Sequence, residues 1–245
     1  MERVKYSVVI PAHNEAQYIG KCLDSIHRAA RMVLPEEVEI LVVANRCTDQ
    51  TAAIAERGGA RVLVNDDKCI AAIRNTGARA ARGEIVVTID ADSRMGKEAL
   101  AEIGEKLDGG RYIGGGTNVK FDRMSLGMAC SALYVALKLL PIMLRNGGYL
   151  SGAMFWFRKR DFEAIGGFNE SLVSLEDMDF AARLKKYGKQ SGRKYGTLKR
   201  SQVLTSARKF DEFGDWYLIK NRALTKRIFT GKDREAADQF YYDVR

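Results

Sequence analysis

Hydrophobic and polar positions alternate in blocks along the first hundred residues. Short apolar runs, "YSVVIPA", "VEILVVAN", "ARVLVN" and "GEIVVTID", read as buried strands. Between them, Ala16 to Arg31, Asp49 to Arg57 and Ala71 to Ala81 read as helices. Alternation at this pitch predicts a parallel sheet covered on both faces, with right-handed crossovers that bring the strand ends to one edge. That edge collects "PAHNE", "ANRCTD" and "DADS", three polar clusters where an open α/β sheet places ligands.

After a helix from Ala99 to Leu107 the pattern loosens, and "IGGGTNVKF" reads as a strand of a smaller mixed sheet. Met124 to Leu144 is the most apolar segment, and about 20 such residues can span a bilayer. Lys138, Pro141, Ser125 and Ser131 argue against a span, which leaves a packed core helix or a helix lying on a membrane surface. The last third predicts a strand through "MFWF", a helix from Lys159, the turn "GGF" and a helix through "EDMDFAARLKKYG" closed by Gly188. From Phe210 the composition is helical. No repeat or linker divides the chain, so one domain is expected, with halves 1–98 and 99–209 and a tail 210–245.

Composition narrows the partners. Forty Lys and Arg against 31 Asp and Glu give a net charge of +9, which favours acidic ligands or an anionic surface. The excess gathers late, in Arg183, Lys185, Lys186, Lys189, Arg193, Lys194, Lys199, Arg200, Arg208 and Lys209. No recognition motif or aromatic–basic interleaving accompanies it, which argues against nucleic acid. Cys22, Cys47, Cys69 and Cys130 match no zinc spacing, and the N-terminus reads as a strand rather than a signal peptide. Reduced thiols in the cytoplasm are the expectation.

Asp90 and Asp92 end an apolar strand two residues apart, so their carboxylates face the same side. Such a pair repels itself unless a cation lies beside it, and Mg²⁺ or Mn²⁺ suits oxygen ligands; the alternative is a turn or helix-capping pair. Glu176 and Asp177 open a helix, where carboxylates also favour the macrodipole.

Four blocks, "SVVIPAHNEAQYIGKCLDSI", "VVANRCTDQTA", "IRNTGARAARGEIVVTIDADS" and "FRKRDFEAIGGFNESLVSLEDMDFAARLKKYG", run in order from Ser7 to about Gly188. Together they resemble family 2 of the nucleotide-sugar glycosyltransferases. The resemblance implies an α/β GT-A fold, Rossmann-like and mainly parallel, with helices flanking the sheet and a smaller mixed sheet in the acceptor half. It implies a nucleotide-sugar donor, with UDP- or GDP-sugars foremost, bordered by Pro11, Ala12, Asn14, Glu15, Asn45, Arg74, Asp90, Ala91 and Asp92. Asp90 would bond the ribose or a metal-bound water, and Asp92 would hold Mn²⁺ or Mg²⁺ on the diphosphate. Asp177 would be the base that deprotonates the acceptor hydroxyl and inverts the anomeric carbon, with Glu176 orienting the acceptor. Trp156 would line the sugar subsite or fill core, and Asp49 would cap a helix.

Two departures qualify the resemblance. Many relatives carry a downstream histidine as a further metal ligand; here His13 and His27 lie far upstream, and Arg208 or Lys209 stands where diphosphate charge would be met. The Gln-x-x-Arg-Trp signature of processive synthases is missing, which favours addition of one sugar over polymer synthesis. The acceptor is expected to be a glycan, a small molecule or, given the apolar segment Met124 to Leu144 and the late basic run, a lipid-linked group at the inner face of a membrane. A sugar nucleotidyltransferase would need a Gly-rich phosphate loop that "PAHNEAQYIG" lacks. A silent nucleotide-sugar-binding or interaction module is the other alternative, and it predicts loss of Asp92 or Asp177, both of which are present.

Overall fold

The computed structural model describes residues 4–146 and 153–241. Its strands are β1 (Val4–Ala12), β2 (Glu37–Asn45), β3 (Arg61–Asn65), β4 (Ile85–Ile89), β5 (Ser93–Met95), β6 (Tyr112–Phe121), β7 (Met154–Arg158) and β8 (Lys194–Thr205). The helices are α1 (Ile19–Ala30), α2 (Thr51–Arg57), α3 (Ile70–Ala80), α4 (Ala99–Asp108), α5 (Leu126–Asn146), α6 (Lys159–Ala164) and α7 (Glu176–Gln190). The tail folds as α8 (Arg208–Phe213), α9 (Tyr217–Lys220), α10 (Arg222–Ile228) and α11 (Arg234–Tyr241).

All eight strands join one sheet in the order β3-β2-β1-β4-β7-β6-β8-β5. β1 pairs in parallel with β2 and β4, and β2 with β3, as the alternating pattern requires. β7 runs antiparallel between β4 and β6, so the mixed region is continuous with the parallel one. β8 lies parallel to β6 and antiparallel to the short β5.

Alternate residues of each strand feed opposite cores. Val8 and Ile10 pack with Ile19, Leu23 and Ile26 of α1, while Val9 packs on the other face with Ala71 and Ala78 of α3. Phe155, Phe157, Phe162, Phe168 and Phe180 fill that second face, and the Phe168 and Phe180 rings stack with centroids 4.0 Å apart. Trp156 belongs to the core: it is fully buried and its indole N–H donates to the Gly116 carbonyl at 2.8 Å. Gly188 does not close α7, which continues to Gln190. A Cβ there would lie 2.7 Å from Ile113, so the glycine permits close packing within the helix.

No helix among the described residues is long and apolar enough to cross a membrane. The late basic run is partly consumed by ion pairs: Arg183 with Asp179, Arg193 with Asp161, Arg200 with Glu105 and Arg208 with Glu15.

Gly77 is where α3 meets the sheet most closely. A Cβ at this position would sit 2.2 Å from a Val9 methyl and 3.0 Å from a Val43 methyl. Gly77→Ala is therefore expected to cost about 1–3 kcal/mol through overpacking, against an intrinsic helix gain of about 1 kcal/mol. Urea unfolding checks this; unchanged or raised stability would show that the valines yield freely.

Candidate active site

A cavity of about 450 Å³ opens at the carboxyl ends of β1, β2 and β4. Pro11, Ala12, Glu15 and Asn45 line one end, Arg74, Asp90, Ala91 and Asp92 the middle, and Glu176 and Asp177 the side toward α7. The residues expected from sequence thus converge, with two exceptions. Asn14 lies outside the lining, and Arg208 acts from behind it.

The loops after β1 and β2 are laced together. The Thr48 N–H donates to Asn14 Oδ1 at 2.8 Å, and the Ala16 N–H donates to Asp49 Oδ2 at 3.0 Å. Asp49 also accepts the N–H of Thr51, the first residue of α2, at 2.9 Å, so it does serve the helix start. His13, which the sequence did not single out, donates from Nδ1 to the Asn45 carbonyl at 2.6 Å and lines the cavity. The Asn45 amide donates to the carbonyls of Asn65 and Asp67 at 2.7 and 2.9 Å, and its own oxygen accepts from Arg46 Nε at 3.3 Å.

Backbone strain concentrates around this opening. Asn14, Arg46 and Leu175 are the non-glycine residues with positive φ among those described, at 51°, 47° and 61°. Two sit in the laced loops, and the third immediately precedes Glu176 and Asp177. A leucine in the left-handed region is unfavourable by about 1–3 kcal/mol and persists only where its surroundings dictate it. The tail holds the two residues before it: the Ser174 hydroxyl donates to the Ile228 carbonyl at 2.6 Å, and the Val173 N–H to the Gly231 carbonyl at 3.0 Å.

Two arginines organise the acids. Arg74, on α3, is 5% exposed and reaches Asp90 Oδ1 at 3.1 Å with one nitrogen while the other donates to Glu176. Its guanidinium also lies over the Phe168 ring, 5.7 Å from the centroid. Burial works against the Arg74 charge, but Asp90 and Glu176 outweigh it and hold the group charged. Arg208 forks onto both Glu15 oxygens at 2.6 Å, meets Asp92 at 2.9 Å, and lies 4.7 Å from the Tyr18 ring centroid. Burial likewise opposes its charge, and Glu15 and Asp92 more than restore it.

Burial pushes the Glu176 carboxyl up to about 7, with Arg74 opposing and Asp177 adding to the rise. Asp177 is raised by the same burial, again against Arg74. One Asp177 oxygen accepts the Met178 N–H at 2.7 Å in the first turn of α7. Glu176 is committed to Arg74, whereas Asp177 borders the cavity and spends one oxygen on the Met178 N–H, which makes Asp177 the better placed to exchange a proton.

Asp90 and Asp92 provide two carboxylates on the cavity wall. Among the described residues no three His, Cys, Asp or Glu gather into a group able to hold a metal by themselves. Two carboxylates nevertheless suit a hard divalent cation that takes its remaining ligands from phosphate oxygens and water. The far end of the cavity was not legible in advance: Val135 and Leu139 of α5 and Phe213, Tyr217 and Phe229 of the tail give it an apolar wall.

The sequence profile of "Glycosyl transferase family 2" matches residues 7–166. The glycosyltransferase AglE of Haloferax volcanii is 31% identical over 198 residues, covering 72% of this chain and 60% of that protein. The poly(ribitol-phosphate) beta-N-acetylglucosaminyltransferase TarS of Staphylococcus aureus is 30% identical over 112 residues, 43% of this chain and 19% of its own length. The chain thus spans less than two thirds of the length of these curated relatives. In structure, TarS 1–349 in complex with UDP-GlcNAc superposes with a TM-score of 0.63 at 20% identity, over 97% of this chain and 70% of that one. Glucosyl-3-phosphoglycerate synthase from Mycobacterium tuberculosis, in complex with Mn²⁺, UDP and phosphoglyceric acid, gives 0.57 at 19% identity over 91% and 77%. These likenesses establish the GT-A fold, and with the profile covering most of the chain, the protein belongs to glycosyl transferase family 2.

Proposed function

We propose that the chain transfers one sugar at a time from a UDP-sugar to an acceptor hydroxyl, with inversion at the anomeric carbon. The observation that carries this reading is the meeting of two acidic pairs on one cavity, Asp90 with Asp92 at the sheet edge and Glu176 with Asp177 at the start of α7. UDP is favoured as the donor nucleotide because TarS and the phosphoglycerate synthase are both seen with it. The missing processive signature favours single addition, and the acceptor in this reading is a glycan or a lipid-linked group on the cytoplasmic side.

Pro11, Ala12 and Asn45 border the nucleoside, Asn14 and Glu15 brace that border, and Asp90 reaches the ribose. Asp92, with Asp90, would hold Mg²⁺ or Mn²⁺, which acts as a Lewis acid on the charge that grows on the departing diphosphate. Arg208 covers Asp92 in this structure, so loading the donor asks Arg208 to turn from Asp92 toward the diphosphate, with Lys209 beside it. Arg74 keeps Glu176 and Asp90 in place and lends positive charge to the middle of the cavity. Asp177 takes the proton from the acceptor hydroxyl as its oxygen attacks, on the side of the sugar opposite the leaving diphosphate. Attack from that side is what inverts the anomeric carbon.

Donor turnover with water in place of the acceptor tests the assignment, read as UDP released from UDP-GlcNAc or UDP-glucose. Asp177→Asn is expected to slow turnover by about 10²–10⁴-fold, while UDP affinity stays within about threefold because the nucleotide lies at the other end of the cavity. A variant that turns over at the parent rate would remove Asp177 from the role of base.

The pH profile gives an independent check. A base works only when ionised, and burial raises the Asp177 carboxyl. The acid limb of kcat/KM should therefore lie above the ordinary carboxylate value of about 4, and activity should fall as pH drops through that raised value. A limb at the ordinary value would mean that the base is exposed or is another group.

A further inference from the structure

Helix α5 carries two apolar faces where a surface helix needs one. Met128 and Leu139 are buried, and Val135 joins Leu139 on the cavity wall. On the opposite side Leu126, Leu133, Leu137 and Leu140 are 77%, 61%, 59% and 44% exposed. Their spacing of seven, four and three residues keeps them within one narrow stripe, about 21 Å long at the α-helical rise. Trp216, 43% exposed, lies against Gly127 at the start of the helix, where a Cβ would come within 2.8 Å of its indole nitrogen.

The surroundings of the stripe are basic. α5 carries the exposed Lys138 and no acidic residue. α9 packs beside α5 and ends at Lys220, which is exposed, as are Arg222 and Lys226 beyond it. From Arg208 to Arg234 there are eight basic residues and four acidic ones; Arg208 is spent on Glu15 and Asp92, and Arg227 on Asp233 and Glu235. Two of those acids near the start of α5, Asp211 and Asp215, are engaged by Arg123. A second copy of the chain placed face to face would set basic flank against basic flank. An anionic bilayer answers both the leucines and the charge.

We propose that the outward face of α5, with Trp216 at its end, docks in the interfacial layer of an anionic membrane, the helix lying in the membrane plane. Because the inward face of the same helix walls the apolar end of the cavity, this placement presents the site to an acceptor carried on a lipid. It deepens the transfer reading by naming that acceptor class.

Flotation with the full-length protein tests the docking. Vesicles of phosphatidylcholine alone are compared with vesicles of equal parts phosphatidylcholine and phosphatidylglycerol, at low and high salt. Binding is expected to the anionic vesicles, to weaken in high salt, and to fall by about tenfold or more in the double variant Leu133→Asp and Leu137→Asp. Neither leucine lines the cavity, so the variant's UDP affinity and donor hydrolysis should match the parent's, which also shows that it is folded. Lack of binding to anionic vesicles, or equal binding by the double variant, overturns the proposal. So does a parent dimer, seen by sedimentation, that the double variant abolishes, because the face would then belong to a second copy. Loss of vesicle binding with donor hydrolysis intact counts against the docking alone, whereas absence of donor hydrolysis in the parent counts against the transfer reading.

Discussion

A buried guanidinium between two carboxylates holds the site together. Arg74 comes from α3, Asp90 from the end of β4 and Glu176 from the start of α7, 102 residues beyond Arg74 in the chain. Arg74 and Glu176 are both buried, and removing one of them leaves a charge in a poorly solvated place, at a cost of about 3–5 kcal/mol, whereas the more exposed contact to Asp90 contributes about 1 kcal/mol or less. The sheet edge and the opening of α7 are therefore fixed relative to each other by charge as well as by packing. The aromatic nest beneath, with Phe168 under the guanidinium, excludes the water that would weaken the clasp.

The second clasp ties the tail to the first loop. Arg208 stands 193 residues from Glu15 in sequence, yet its fork meets both oxygens of that carboxylate and then Asp92. The start of α8 is thereby bound to the strand-end acids, and the tail beyond it supports the strained Leu175 turn through Ser174 and Val173. A site whose halves come from opposite ends of the chain is closed by these few polar contacts, made beside the strained Leu175 and at the strand-end acids.

The parallel half was legible because its signal is local. Continuous apolar runs in the strands, helices between them and polar clusters at the strand ends all appear within windows of a few residues. Asp90 and Asp92 followed from the same logic, whereas the place of Glu176 and Asp177 beside them came from the family resemblance. What escaped is non-local: the partnership of Arg208 with Glu15 has no periodicity, β5 is three residues long, and β8 is recognised only by its pairing with β6. Gly188 looked like a helix stop because glycine commonly ends helices, but its neighbour across the interface, Ile113, set the requirement. The apolar wall of the cavity was hidden for a similar reason, since Val135, Leu139 and Phe213 become neighbours only when the tail folds over α5.

The most direct test of this two-clasp account is calorimetric titration of the protein with UDP, GDP, CDP and dTDP, each with Mn²⁺ and with EDTA. The account predicts that UDP binds best, that Mn²⁺ tightens it, and that Asp92→Ala removes the metal dependence. Absence of binding by all four nucleotides would contradict it, because the strand-end acids and their arginines would then be organising something other than a nucleoside diphosphate.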